Sequence, residues 1–239
     1  MTAILASLLR YYESNDDGAP VPCALHNTNG IADNIRSAMP HRRKFVYVAN
    51  DPQAFDENDF KADLIRRGFE LADFCFDRFI LLDGRNADNA RSACQDASLY
   101  VLRGGKCTRQ LAFFNEIGMR DILSDTDALV VGVSAGAMNL CKTVANFPEE
   151  LADLSEPRRL DGLGLINKIF IPHFDCDACA YQFPCDDFDI ARDYILPMSQ
   201  GREFLGIAND GYALIDDNGK MRVFGNACTI KDGKITKLR

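Results

Sequence analysis

Short, uninterrupted apolar runs recur along the chain, separated by stretches with helical spacing. The runs are Phe45-Val46-Tyr47-Val48-Ala49, Phe79-Ile80-Leu81-Leu82, Leu99-Tyr100-Val101-Leu102, Leu129-Val130-Val131-Gly132-Val133 and Lys168-Ile169-Phe170-Ile171. Apolar runs without polar alternation predict strands covered on both faces, the pattern of a parallel sheet. Between them, Asp56 to Gly68 carries Phe60, Leu64 and Ile65 at helical spacing and stops at a glycine. Thr108 to Gly118 does the same with Leu111, Phe114 and Ile117. Strand and helix in alternation predict βαβ units. The expected fold is therefore α/β, a doubly wound, mostly parallel sheet with helices on both faces. Near the C-terminus the pattern changes. Tyr212-Ala213-Leu214-Ile215 and Met221-Arg222-Val223-Phe224 flank Asn218-Gly219, and a second pair of runs flanks Asp232-Gly233. Both predict β-hairpins, expected to decorate an edge of the main sheet. No repeat or linker divides the chain, so one domain spanning residues 1–239 is expected.

Composition narrows the partners. A chain of 239 residues can bury a full core without disulfide staples. Its net charge of -8 argues against a nucleic-acid partner, which calls for a concentrated basic surface. The one basic run, His41-Arg42-Arg43-Lys44, leads into an apolar strand and reads as its solvated entrance. The nine cysteines are odd in number and irregularly spaced, unlike a secreted disulfide scaffold. Met1 to Arg10 lacks a basic leader, and no apolar run approaches the roughly 20 residues that span a bilayer. A reducing cytoplasm and no membrane partner are expected.

The segment Leu129 to Leu140 carries the sharpest chemical signal. A buried strand runs into Gly132-Val133-Ser134-Ala135-Gly136 and on into a helix-compatible stretch. This is the pattern of a nucleophile elbow. A tight strand-to-helix turn lifts a serine above the carboxyl edge of the sheet, and the small residues around it let neighbouring backbone pass. The N–H groups of the following helix then favour a developing oxyanion. A serine nucleophile needs a base within hydrogen-bond reach. Of the three histidines, His26 lies in an early loop and His41 in the basic run. His173 closes the apolar stretch Ile169-Phe170-Ile171-Pro172, at the kind of edge where α/β sites gather. The residues alone leave the orienting carboxylate open. Glu149, Glu150, Asp153, Glu156 and Asp161 lie between Ser134 and His173, and Asp210 follows in an Asn209-Asp210-Gly211 turn.

Four segments together resemble the peptidase E family of aspartyl dipeptidases and, more distantly, the cyanophycinases. They are Leu102-Arg103-Gly104-Gly105-Lys106, Gly132 to Ala137, Ile171-Pro172-His173-Phe174, and Gly206-Ile207-Ala208-Asn209-Asp210-Gly211. The resemblance implies a fold like that of class I glutamine amidotransferases, with serine in place of cysteine. It also implies cleavage of dipeptides or short peptides, typically with an N-terminal aspartate, and no metal or other cofactor. It makes Ser134 the nucleophile, His173 the base and Asp210 the acid, in the place of a family glutamate; Glu150 is second, on chain order alone. Backbone N–H groups of Gly105 and Ala135 become the oxyanion hole. The family's Gly-Gly-Asn is Gly104-Gly105-Lys106 here, and its Gly-Glu-Thr-Arg stretch is absent. Lys106 and Arg192 are the remaining candidates to bind a substrate carboxylate.

Three other readings compete. His173, Cys176, Cys179 and Cys185 carry zinc-type donors, though no second Cys pair follows. That reading would withdraw His173 from Ser134. An α/β-hydrolase esterase shares the elbow but places its histidine far downstream. A non-catalytic binding protein could keep the fold while altering the Gly104-Gly105-Lys106 loop.

Overall fold

The computed structural model describes residues 1–39 and 41–238. Its centre is a seven-stranded sheet. Five strands are parallel: β1 (Ala3–Ala6), β2 (Lys44–Val48), β3 (Arg78–Leu82), β4 (Leu99–Leu102) and β5 (Leu129–Val133). In the second half of the chain come β6 (Phe170–Ile171), β7 (Glu203–Ile207), β8 (Tyr212–Ile215) and β9 (Met221–Phe224), then β10 (Ala227–Lys231) and β11 (Lys234–Lys237). The order across the main sheet is β9, β8, β1, β5, β4, β2, β3, with β8 and β9 antiparallel. From β1 the chain crosses to β2 and the edge strand β3. It then returns through β4 to β5, which lies beside β1. The carboxyl ends of β1, β4 and β5 therefore stand side by side, where open α/β sheets gather their ligand-binding residues.

The apolar runs do what their lack of alternation predicts. Ala3, Leu5, Val46, Val48, Tyr100, Leu102 and Val130 enter one buried cluster. Their neighbours Ile4, Ala6, Phe45, Tyr47, Leu99, Val101, Leu129 and Val131 enter another. Helices α1 (Ile31–Ala38) and α2 (Phe55–Leu71) feed the second cluster through Ile31, Ile35, Ala62, Ile65 and Phe69. Helices α3 (Cys107–Glu116), α4 (Met119–Ser124) and α5 (Ala135–Leu140) feed the first through Phe113, Phe114, Ile122 and Ala137. Among the described residues no helix is long and apolar enough to cross a membrane.

Two local expectations change. Helix α2 does not stop at Gly68 but continues to Leu71. A Cβ at Gly68 would lie 2.5 Å from Tyr11 Cβ, so this glycine serves close packing of the segment after β1, not termination. Only the first C-terminal hairpin extends the main sheet. The second, β10 and β11, belongs to a separate four-stranded sheet ordered β6, β7, β10, β11. That second sheet matters for the site, because β6 and β7 run parallel and end just before His173 and Asn209.

Candidate active site

Ser134 sits between β5 and α5 with φ 52 and ψ -116, a conformation that non-glycine residues rarely hold. The surroundings fix it there. Its N–H donates to Ala6 O at 2.9 Å, and its carbonyl accepts from the N–H groups of Ala137 and Met138. The turn is so tight that a Cβ on Gly136 would lie 2.2 Å from Leu102 O of the neighbouring strand. No side chain fits in that gap, which explains the glycine after Ser134-Ala135.

His173 follows β6 with φ 58 and is 4% exposed. Its Nε2 lies 2.9 Å from Ser134 Oγ. Four contacts hold the residue. Its backbone N–H donates to Ser7 Oγ at 3.1 Å, and its carbonyl accepts from Gln182 N–H at 2.7 Å. The ring packs edge-on against Phe183 and Tyr181, at centroid distances of 4.5 and 5.8 Å. Ser7 in turn donates to Ile207 O at 2.8 Å, joining the end of β1 to β7. Burial lowers the His173 pKa from 6.5 to about 4, against a smaller upward pull from its Asn209 hydrogen bond. The imidazole is thus neutral at physiological pH.

The other ring nitrogen, Nδ1, meets Asn209 Oδ1. With Nδ1–H donating to that carbonyl oxygen, Nε2 keeps its lone pair for the Ser134 hydroxyl. Asn209 is placed by its own N–H, which donates to Gln182 Oε1 at 2.6 Å, and by the turn closed by Gly211 N–H on Ala208 O at 2.9 Å. Gln182 thereby bridges the backbones of both His173 and Asn209. Neither candidate acid is brought to His173. Asp210 is exposed, and its carboxylate lies 3.4 Å from Asn29 Nδ2. Of the two neighbours in the turn, Asn209 contacts the ring, while the Asp210 carboxylate meets Asn29. Glu150 is exposed and accepts from Lys106 Nζ at 2.8 Å. Asn209, Gln182 and Ser7 were not foreseen from the sequence. The available signal was the Asn209-Asp210-Gly211 turn at the end of β7, but asparagine there reads first as a turn former.

A narrow recess at Ser134 is lined by Gly105, Lys106, Ala135, Glu149, Asp153 and Glu156. Gly105 has φ 142, and a Cβ there would strike the Asn50 side chain. Asn50 fastens the loop by accepting from Lys106 N–H and donating to Lys106 O, both at 3.1 Å. Among the described residues, the N–H groups of Gly105 and Ala135 donate to no other backbone group. Lys106 is spoken for, since its ammonium contacts Asp153 at 2.7 Å as well as Glu150. Those hydrogen bonds hold its pKa above the ordinary lysine value. Arg192 does not line the recess; it is exposed and pairs with Asp193 at 3.1 Å. A larger hollow of about 790 Å³ opens among Arg43, Arg91, Ser98 and Asp125, away from Ser134 and at the opposite end of β4.

The zinc-type set of His173, Cys176, Cys179 and Cys185 is not assembled among the described residues. His173 gives Nε2 to Ser134, Cys176 is buried and Cys179 is exposed.

Comparison with known proteins agrees with this architecture. No curated protein matches the sequence. Among solved structures, a candidate peptidase E protein from Listeria monocytogenes EGD-e is similar in fold, with a TM-score of 0.58 and 12% identity. The match covers 93% of this chain and 96% of that one. The model of peptidase family S51 matches residues 26–223, which include Ser134, His173 and Asn209. The chain belongs to peptidase family S51, the peptidase E family.

Proposed function

We propose that this protein is a serine peptidase acting on dipeptides or other short peptides through Ser134, His173 and Asn209. The observation that carries the reading is the 2.9 Å contact between His173 Nε2 and Ser134 Oγ, made at a strained strand-to-helix turn. In this reading His173 takes the hydroxyl proton as Ser134 attacks the scissile carbonyl. The N–H groups of Gly105 and Ala135 receive the oxyanion; removing such a donor typically costs about 2.7–4 kcal/mol of barrier. His173 then protonates the leaving amine, and water releases the acyl group. Asn209 holds the imidazole in the tautomer that leaves Nε2 free, a part taken by a carboxylate in other triads and by asparagine in some cysteine peptidases.

The charges beside Ser134 bear on the substrate. Glu149, Asp153 and Glu156 line the recess, and its one cation among the described residues, Lys106, is neutralised by Asp153 and Glu150. A recess of this sign suits a substrate α-ammonium or a basic side chain better than an aspartate side chain. We therefore infer short peptides with a free N-terminus as the substrate class, without the aspartyl preference. The nine unpaired cysteines fit a reducing compartment such as the cytoplasm. A dipeptide-library screen with S134A as control tests the proposal. Hydrolysis by the parent protein alone supports it, and activity confined to short acyl esters contradicts it.

A further inference from the structure

Away from Ser134, three side chains of different chemistry converge near a small antiparallel ribbon formed by Tyr12–Ser14 and Pro20–Pro22. His26 Nε2 lies 3.6 Å from Cys23 Sγ and 3.5 Å from Glu13 Oε1, and all three donor atoms lie within 4.8 Å of one another. We propose that Glu13, Cys23 and His26 form a binding site for a zinc-type divalent cation, separate from the Ser134 centre.

The spacing fits such an ion. A tetrahedral zinc with ordinary bond lengths sets its sulfur and nitrogen ligands about 3.6 Å apart, and its nitrogen and oxygen ligands about 3.4 Å apart. The two edges that meet at His26 Nε2 are 3.6 and 3.5 Å. The imidazole gives a second reason. One nitrogen faces both the thiol and the carboxylate, and a single proton on it can serve only one of them. A cation at the centre engages all three donors. Thiolate and imidazole also favour a borderline-soft ion over magnesium or calcium, and thiolate plus carboxylate neutralise a dication.

The backbone presenting these donors is ordered by hydrogen bonds. Cys23 N–H donates to Tyr11 O, Leu25 N–H to Gly68 O and His26 N–H to Arg10 O, at 3.0, 2.9 and 2.8 Å. Binding would staple the ribbon to the segment that ends at His26. Three protein ligands leave the fourth position to water. His26 also lines a small recess with Asn209 and Asp210, so the staple would stand beside the turn that carries Asn209.

The test uses the full chain, reduced, stripped by chelator, and titrated with Co²⁺ and then with Zn²⁺ in competition. The expected result is one equivalent of Co²⁺ with a thiolate-to-cobalt charge-transfer band, displaced by Zn²⁺. C23S removes the band and weakens binding about tenfold or more, H26Q weakens it likewise, and C185S leaves it unchanged. Zinc raises the melting temperature of the parent protein but not of C23S, whose cooperative melt shows that it is folded. No band in the parent protein, an unchanged band in C23S, or a band lost in C185S overturns the proposal.

Discussion

Asn209 Oδ1 faces His173 Nδ1, so the histidine beside Ser134 is oriented by a neutral amide, not by a carboxylate. An amide carbonyl fixes the tautomer as a carboxylate does. It supplies no counter-charge to a protonated imidazole, which leaves burial to dominate the His173 pKa.

Removing the amide should therefore cost catalysis while leaving the fold. N209A is expected to lower kcat by about 10²-fold or more, within the range that a positioned general base supplies. D210N and E150Q should each change kcat by less than about threefold, since neither carboxylate approaches the ring and exposed surface changes are usually small. Steady-state kinetics on the best dipeptide, with circular dichroism as the fold control, reads both results.

The pH profile follows from the same environment. A base with pKa about 4 stays unprotonated through mildly acidic pH, so kcat/KM should hold its plateau below the ordinary histidine value of 6.5 and fall only towards pH 4. In N209D a carboxylate would favour the charged ring and raise its pKa, so the acid limb should move up towards neutrality. Stability carries the same sign. His173 binds its proton more weakly when folded than when unfolded, so its contribution is complete above 6.5 and is lost as pH falls from 6.5 to about 4. Denaturant titrations of the parent protein and H173Q across that window should diverge accordingly.

The strand-to-helix turn at Ser134 should also be intolerant of volume. In G136A the new methyl would sit 2.2 Å from Leu102 O, a backbone atom that cannot swing aside. A loss of about 3 kcal/mol is expected, or a melting-point drop on the order of 10 °C. Calorimetry reads it directly.

How much of this was legible in the sequence depends on how local each signal is. The parallel strands were visible because unbroken apolar runs already record burial on both faces, as Val46 and Tyr47 do in opposite clusters. Ser134 was visible because the turn it occupies demands small neighbours within a few residues. His173 followed from having only three histidines to weigh. The residue that contacts His173 Nδ1 was not legible. Asn209 and Asp210 are adjacent, resemblance to the family pointed to the acidic one, and which side chain turns inward depends on the Gln182 contact from a distant segment. The helix end misread at Gly68 has the same origin, a close approach by Tyr11 that no local pattern records.

The substitution S134A should lower kcat on dipeptides by about 10⁴-fold or more with the fold unchanged. Activity retained in S134A would remove this serine from the chemistry, whatever the geometry around it.

Covalent labelling tests the account most directly. The parent protein is treated with a serine-directed phosphonate, digested, and the adduct located by mass spectrometry, alongside H173A and S134A. One adduct per chain on Ser134, formed far more slowly in H173A and absent in S134A, is the predicted result. No adduct on Ser134, or a rate of labelling unchanged in H173A, would contradict it.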